Sequence, residues 1–148
     1  MFRSIQGKTK FMYYGSTASQ AIEAGAVVAL SSGRLIPAAN DTNPSTIVGV
    51  IKDAITSTDD AYATAGTQVA VEVPVEMNVV WEADVDATGA LTDTDQGTYM
   101  DLGTDDLGTS VDTTVSTLNT VFNVGFISAT KGKFVLNIGP TYWDYVGD

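Results

Sequence analysis

Asn119 to Trp143 reads NTVFNVGFISATKGKFVLNIGPTYW, two apolar, β-rich runs either side of the polar connector Ser128-Ala129-Thr130-Lys131-Gly132-Lys133. In the second run Phe134, Leu136 and Ile138 alternate with Lys133, Val135 and Asn137. That period of two belongs to a half-buried strand, whose successive side chains leave on opposite faces. The first run, Val121 to Ile127, is interrupted by Gly125. Inside a strand, glycine marks a bulge or the close approach of another backbone. The two runs predict a hairpin forming the inner wall of a small β domain. An earlier stretch echoes it: Val48-Gly49-Val50-Ile51 matches Val124-Gly125-Phe126-Ile127, and a Gly opens the next β run in both places, at Gly66 and at Gly132. The connectors differ in length and the apolar phase after the Gly slips by one, so the echo points to two related halves without aligning them.

Outward from the hairpin, the chain is short strands separated by Gly- and Pro-rich turns. Val27 to Leu30 reads as a strand, Ser31-Ser32-Gly33 as a tight turn, and Arg34 to Ile36 as the returning strand ended by Pro37. Ile47 to Lys52 and Gln68 to Val73 are further strands. Pro74 then interrupts before Val75 to Trp81, which places an edge or a crossing between sheets there. Thr56 to Gly66 is a loop or a short helical turn. Residues 82–120 form a polar, turn-rich insert with one strand at Thr98 to Leu102 and a weak helical face at Val111, Val115 and Leu118. The aromatic end Thr141-Tyr142-Trp143-Asp144-Tyr145 is expected to pack. Regularly spaced short strands of this kind predict an all-β fold, a small sandwich or barrel of short antiparallel strands. Its expected core is Val27, Val28, Leu30, Leu35, Ile36, Val48, Val50, Val69, Val71, Val124, Phe126, Phe134, Leu136 and Ile138.

Residues 1–20 stand apart from this single domain of 21–148. They alternate basic and large apolar side chains: Phe2, Arg3, Ile5, Lys8 and Lys10, then Phe11-Met12-Tyr13-Tyr14, with Gly7 and Gly15 as joints. Such a segment is either the first strand of the domain's own sheet or an extended N-terminal arm that lies across a neighbour. The flexible joints at Gly7 and Gly15 favour the extended arm, which makes residues 2–14 dispensable for folding.

The 148 residues contain no Cys and no His. Thiol nucleophiles, disulfides, zinc fingers and the serine–histidine triad are thereby excluded, together with the usual proton shuttle near neutral pH. The net charge of −11 is unevenly laid out: residues 1–52 hold five basic and two acidic side chains, whereas 53–130 hold fourteen acidic and no basic ones. An acidic body repels nucleic acid. The plain reading is solubility; the sharper one sets a basic first part against an acidic partner. No apolar run is long enough to span a bilayer, and Phe2-Arg3-Ser4-Ile5-Gln6 leads into no apolar leader region.

One stretch has metal-ligand spacing. From Asp84 through Asp86, Thr88 and Asp95, oxygen side chains fall at positions one, three, five, nine and twelve of a loop with Gly89 at six, the pattern of an EF-hand calcium loop. Asp95 replaces the longer bidentate Glu, and the flanks read as strands, so turn chemistry explains the same residues. No cofactor is expected. Acidic pairs such as Asp59/Asp60, Asp84/Asp86 and Asp105/Asp106 lie on loops with no substrate-holding residues around them. No nucleophile–base pair can be nominated, and the chain reads as a protein without enzymatic activity.

Ala24-Gly-Ala-Val-Val-Ala-Leu30, Gly33-Arg-Leu-Ile-Pro-Ala38, Ile47-Val-Gly-Val50 and Gly66-Thr-Gln-Val-Ala-Val71, in this order, resemble the capsid cement (head decoration) proteins of tailed bacteriophages. Asp86-Ala-Thr-Gly-Ala-Leu-Thr92 and Val124-Gly-Phe-Ile127 extend the resemblance to residues 24–138. Thr104 to Thr120 has no counterpart in it. The resemblance implies a virion structural protein made in the host cytoplasm and placed on the outer surface of the capsid. There it would bridge subunits of the major capsid protein, commonly as a trimer, with Phe2 to Tyr14 as the capsid-contact segment. The competing class is a β-sandwich adhesin or calcium-stabilised binding module, which requires the Asp84 to Asp95 loop to hold a cation.

Overall fold

The computed structural model describes residues 1–87, 89–103 and 107–138. The aromatic end at 141–145, the Asp105/Asp106 pair and Thr88 lie outside them. The fold is all-β, as the alternation predicts, with eleven strands among the described residues: β1 (Phe2–Gln6), β2 (Thr9–Gly15), β3 (Val27–Ser31), β4 (Arg34–Pro37), β5 (Ile47–Ile51), β6 (Gln68–Pro74), β7 (Val80–Val85), β8 (Tyr99–Leu102), β9 (Ser110–Asp112), β10 (Val121–Ser128) and β11 (Lys131–Leu136). One helical turn, α1 (Asp60–Ala63), lies between β5 and β6.

The strands form two sheets with one plan. Strands β2–β6 are ordered β2-β6-β5-β3-β4, and β7–β11 are ordered β7-β11-β10-β8-β9. In both sets the third strand returns to run parallel to the first. β9 pairs with β7 through Asp84↔Ser110 and Val85↔Val111, and the β2/β4 edges meet at the parallel bridge Ser16↔Leu35. Each set is therefore a rolled, five-stranded barrel. The registers agree as well. Met12, Val71 and Ile51 stand opposite one another in the first barrel as Trp81, Phe134 and Asn123 do in the second. The loop bonds Ser16 N–H to Thr67 O and Ile22 N–H to Ile55 O recur as Val85 N–H to Thr130 O and Leu91 N–H to Ala129 O.

The sequence echo thus names the right strands, β5 and β10, in the wrong register. The counterpart of Ile51 is Asn123, four positions before Ile127. The β10–β11 register shifts between Asn123 and Gly125, at the bulge that Gly125 marks. Phe126, expected in the core, is 42% exposed. Of the other expected core residues, Leu30, Ile36, Val69 and Val124 are half-buried and the remainder are buried.

Two apolar clusters explain the composition. Val28, Leu35, Val48, Ile51, Val71 and Val73 fill the first barrel, with Ile22 and Ile55 from its loops. Trp81, Met100, Leu102, Val111, Phe134 and Leu136 fill the second, and Val27, Ala29, Ile47 and Val50 from the outside of the first barrel join them. Strands β3 and β5 are therefore apolar on both faces, which is why their sequences run as VVAL and IVGVI instead of alternating. At Gly49 a Cβ would lie 2.2 Å from the Glu72 carbonyl oxygen, so β5 and β6 approach too closely for any side chain there.

Three expectations change. The tight turn of the last hairpin is Ala129-Thr130 alone, with Lys131 to Lys133 already in β11. Val75 to Val79 is the crossing between the sheets, so β7 begins only at Val80. The weak helical face at Val111, Val115 and Leu118 is strand β9 followed by a loop. That loop hangs on Asp101, 0% exposed, whose carboxylate accepts the N–H groups of Thr117 (2.8 Å) and Leu118 (3.1 Å) and, more distantly, of Thr120.

Candidate contact surface

The N-terminal segment is not a detached arm. β1 pairs antiparallel with β7 of the second barrel (Phe2↔Ala83, Arg3↔Glu82), and β2 pairs along its whole length with β6 of the first (Thr9↔Pro74 to Gly15↔Gln68). The segment turns between barrels at Gly7, which has φ +93° and passes so close to Val79 that a Cβ would lie 2.9 Å from its Cα. Alongside it, β6 and β7 make the reverse crossing at Pro74, the role its position predicts. The corner is fastened by polar bonds: Lys8 N–H to Glu76 Oε1, Val75 N–H to Lys8 O, and the Ser4 and Thr9 hydroxyls to Glu72 Oε1. The first-strand alternative describes this segment, in two strands instead of one. Residues 2–14 are consequently part of both barrels.

Alternation divides the expected contact residues. Phe2 is buried at 2% exposure, and Met12 and Tyr14 pack against the first barrel's core, so these three face inward. Arg3, Ile5, Phe11 and Tyr13 face outward and are exposed. Lys8 is exposed at the corner. Lys10 is exposed too, but it stands opposite Val73, on the same side of β2 as Met12 and Tyr14. The outward side of β2 is the more pronounced feature: Phe11 is 51% and Tyr13 66% exposed, and the Lys52 ammonium lies 5.8 Å from the Phe11 ring centroid. Lys52 escaped the sequence reading because it follows β5, remote in sequence from Phe11.

Charge is neutralised along β1. Arg3 meets Glu82 at 3.3 Å, Lys131 meets Glu82 and Asp84 at 3.5 and 3.6 Å, and the Met1 ammonium meets Asp84 at 2.8 Å. Burial pushes the Asp84 carboxyl up, but the hydrogen bond and charge of that ammonium, with Lys131, outweigh it and hold the group below the usual carboxylate range.

The calcium-loop residues are turned to different partners. Asp84 is committed to these cations, and Asp86 is buried at 4% exposure behind β9 with its N–H on Val111 O. Asp95 caps a 3-10 turn, Asp93–Asp95, by accepting the N–H and hydroxyl of Thr92. The same Thr-x-Thr-Asp turn occurs at Thr56 to Asp59. Among the described residues, no group of three or more acidic side chains is placed to share a cation.

A second exposed apolar feature lies on the outside of the second barrel. Tyr99, Phe122, Val135 and Val80 are paired in a row across β8, β10, β11 and β7. The Tyr99 and Phe122 rings meet edge-to-face with centroids 4.9 Å apart. They border a groove of about 280 Å³ that Met77, Val124 and Ile138 also line. No described helix is long and apolar enough to cross a membrane. No model of a known protein family matches the chain, and no curated protein sequence matches it.

Proposed function

We propose that this chain is a head-decoration protein of a tailed bacteriophage, which binds the outside of the assembled capsid and bridges neighbouring major capsid protein subunits. The observation that carries the reading is the outward side of the two N-terminal strands: exposed Ile5, Phe11 and Tyr13 with Arg3, Lys52 and, at the corner, Lys8, on a body whose residues 53–130 hold no basic side chain. Burial of the aromatic pair would supply affinity, and the cations would add orientation and association rate. β1 ends its sheet in the strand order, so an extended capsid segment could add a strand beside it. The clamped two-barrel body also suits a brace, because tension on β1 is carried through β7 and on β2 through β6.

The test is co-sedimentation with undecorated heads built from the major capsid protein encoded alongside the chain. The wild type should pellet with heads and ignore unassembled subunits. Phe11→Ser with Tyr13→Ser should weaken binding at least tenfold while leaving the melting temperature within a few degrees. Wild-type protein that stays in the supernatant at saturating heads would sink the reading.

A further inference from the structure

We propose that the groove beside Tyr99 and Phe122 is a self-association face, its occupant a second copy of this chain placed across a rotation axis that runs past the groove. The argument starts from the repeated barrel. By register, Tyr99 and Phe122 are the counterparts of Val27 and Val50, since both pairs stand opposite each other on the second and fourth strands of their barrels. In the first barrel that pair is 0% and 3% exposed, and it joins the cluster that fills the second barrel. A barrel of this design therefore uses this face to dock against another barrel. In the second barrel the same face carries larger side chains, yet Tyr99 stays 49% exposed and Met77 beside it 69%.

The two barrels differ next to the row in a way that limits how far the packing repeats. Ala29 and Ile36 pair in the first barrel, and both meet the shared cluster. Their counterparts, Asp101 and Asp112, hold the loop that follows β9: Asp101 accepts Thr117 and Leu118, and Asp112 accepts the Thr114 N–H and hydroxyl. That loop closes one half of the face with the chain's own backbone. Among the described residues, the half around Tyr99, Phe122, Val124 and Met77 is left open, and through Leu136 and Ile138 it is continuous with the buried cluster.

Charge selects the occupant. A residue next to a rotation axis faces its own copy, so a charged lining would repel itself. Every described residue lining this groove is uncharged, on a chain of net charge −11. The Phe11–Tyr13 side carries Lys52 and does not meet that condition. This uncharged, largely apolar surface on the acidic barrel is where two copies can approach most closely.

The experiment uses the full chain without heads, so its outcome is independent of the capsid reading. The chain has no cysteine, so a single introduced thiol reports only on contacts with its own copy. Met77→Cys, at a highly exposed position, should oxidise to a covalent dimer on a non-reducing gel at least tenfold faster than Tyr13→Cys, an equally exposed position away from the groove. Sedimentation velocity should show an oligomer at about 100 µM that Tyr99→Lys, with an unchanged circular dichroism spectrum, converts to monomer. A monomer at that concentration overturns the proposal, as does equal cross-linking of the two cysteines or an oligomer that Tyr99→Lys leaves intact. An intramolecular disulfide in Met77→Cys with Tyr142→Cys would instead put the chain's own C-terminal residues in the groove, and would likewise overturn it.

Discussion

Replacing Asp101 by alanine removes the acceptor that holds the loop after β9. The carboxylate is fully buried and takes the Thr117 and Leu118 N–H groups at 2.8 and 3.1 Å, with Thr120 N–H farther off at 3.4 Å. A hydrogen bond to a charged acceptor contributes about 1.5–3 kcal/mol net, and an orphaned buried N–H costs a similar amount. Two strong bonds lost, less the relief of no longer burying a charge, give roughly 4 kcal/mol for Asp101→Ala. At about 2–4 °C per kcal/mol for a chain of this size, the melting temperature should fall by roughly 8–16 °C. Asp101→Asn keeps one acceptor oxygen and should lose about half as much. Urea denaturation followed by circular dichroism measures both, with an unchanged slope showing that the denatured state is the same. Asp95→Ala, which removes only a cap on an exposed turn, sets the scale at about 1 kcal/mol. If Asp101→Ala cost no more than that control, the loop would not depend on this carboxylate and the reasoning would fail.

Other outcomes test the remaining elements. Deleting residues 2–14 removes β1 and most of β2, so the product should be unfolded or aggregated; a cooperative transition near the wild-type temperature would restore the detached arm. Phe134→Ala should cost about 3–5 kcal/mol and Phe126→Ser under about 1, because the first is fully buried and the second is exposed. Asp59 is held low by the Thr56 N–H and hydroxyl and Asp84 by the Met1 ammonium, so both have folded values below the ordinary 3.8. Their contribution is complete above that value and is lost as pH falls through the folded values, so urea midpoints should be flat from pH 7 to 5 and drop below about 4. Asp84→Asn should flatten part of that drop, and an unchanged profile would contradict the assignment.

What the sequence made legible is what local pattern controls. Phe134, Leu136 and Ile138 announce their face through simple alternation, and Ser32-Gly33 announce a two-residue turn, where φ values of 49° and 77° suit them. The echo between Val48 and Val124 betrayed the duplication. Its alignment failed because Ile51 and Asn123, the true counterparts, share no chemistry: one fills a barrel, while the other sits beside a bulge and accepts the Gly125 N–H. Asp101 was invisible among many acids in a turn-rich stretch, since nothing local separates a carboxylate that gathers backbone N–H groups from one that faces water. The N-terminal segment was ambiguous for a related reason. Alternating basic and apolar residues describe any strand with one wet face, whichever chain supplies the neighbour.

The pairing of β1 with β7 imposes an order of events. β2 to β6 carry all the pairings of the first barrel, which can close as soon as Pro74 is in place. Phe2 can bond Gly25 early, but β1 has no strand partner until Ala83 arrives, and β7 in turn needs β11. Through all that time Phe-Arg-Ser-Ile-Gln is a loose strand awaiting its edge, and Arg3 is the one charge that discourages it from pairing with a stranger. Refolding should therefore show a rapid phase for the first barrel and a slower one as the long-range strands lock. Crowded, newly made chains would be most prone to exchange their first strands with one another in the interval between the two.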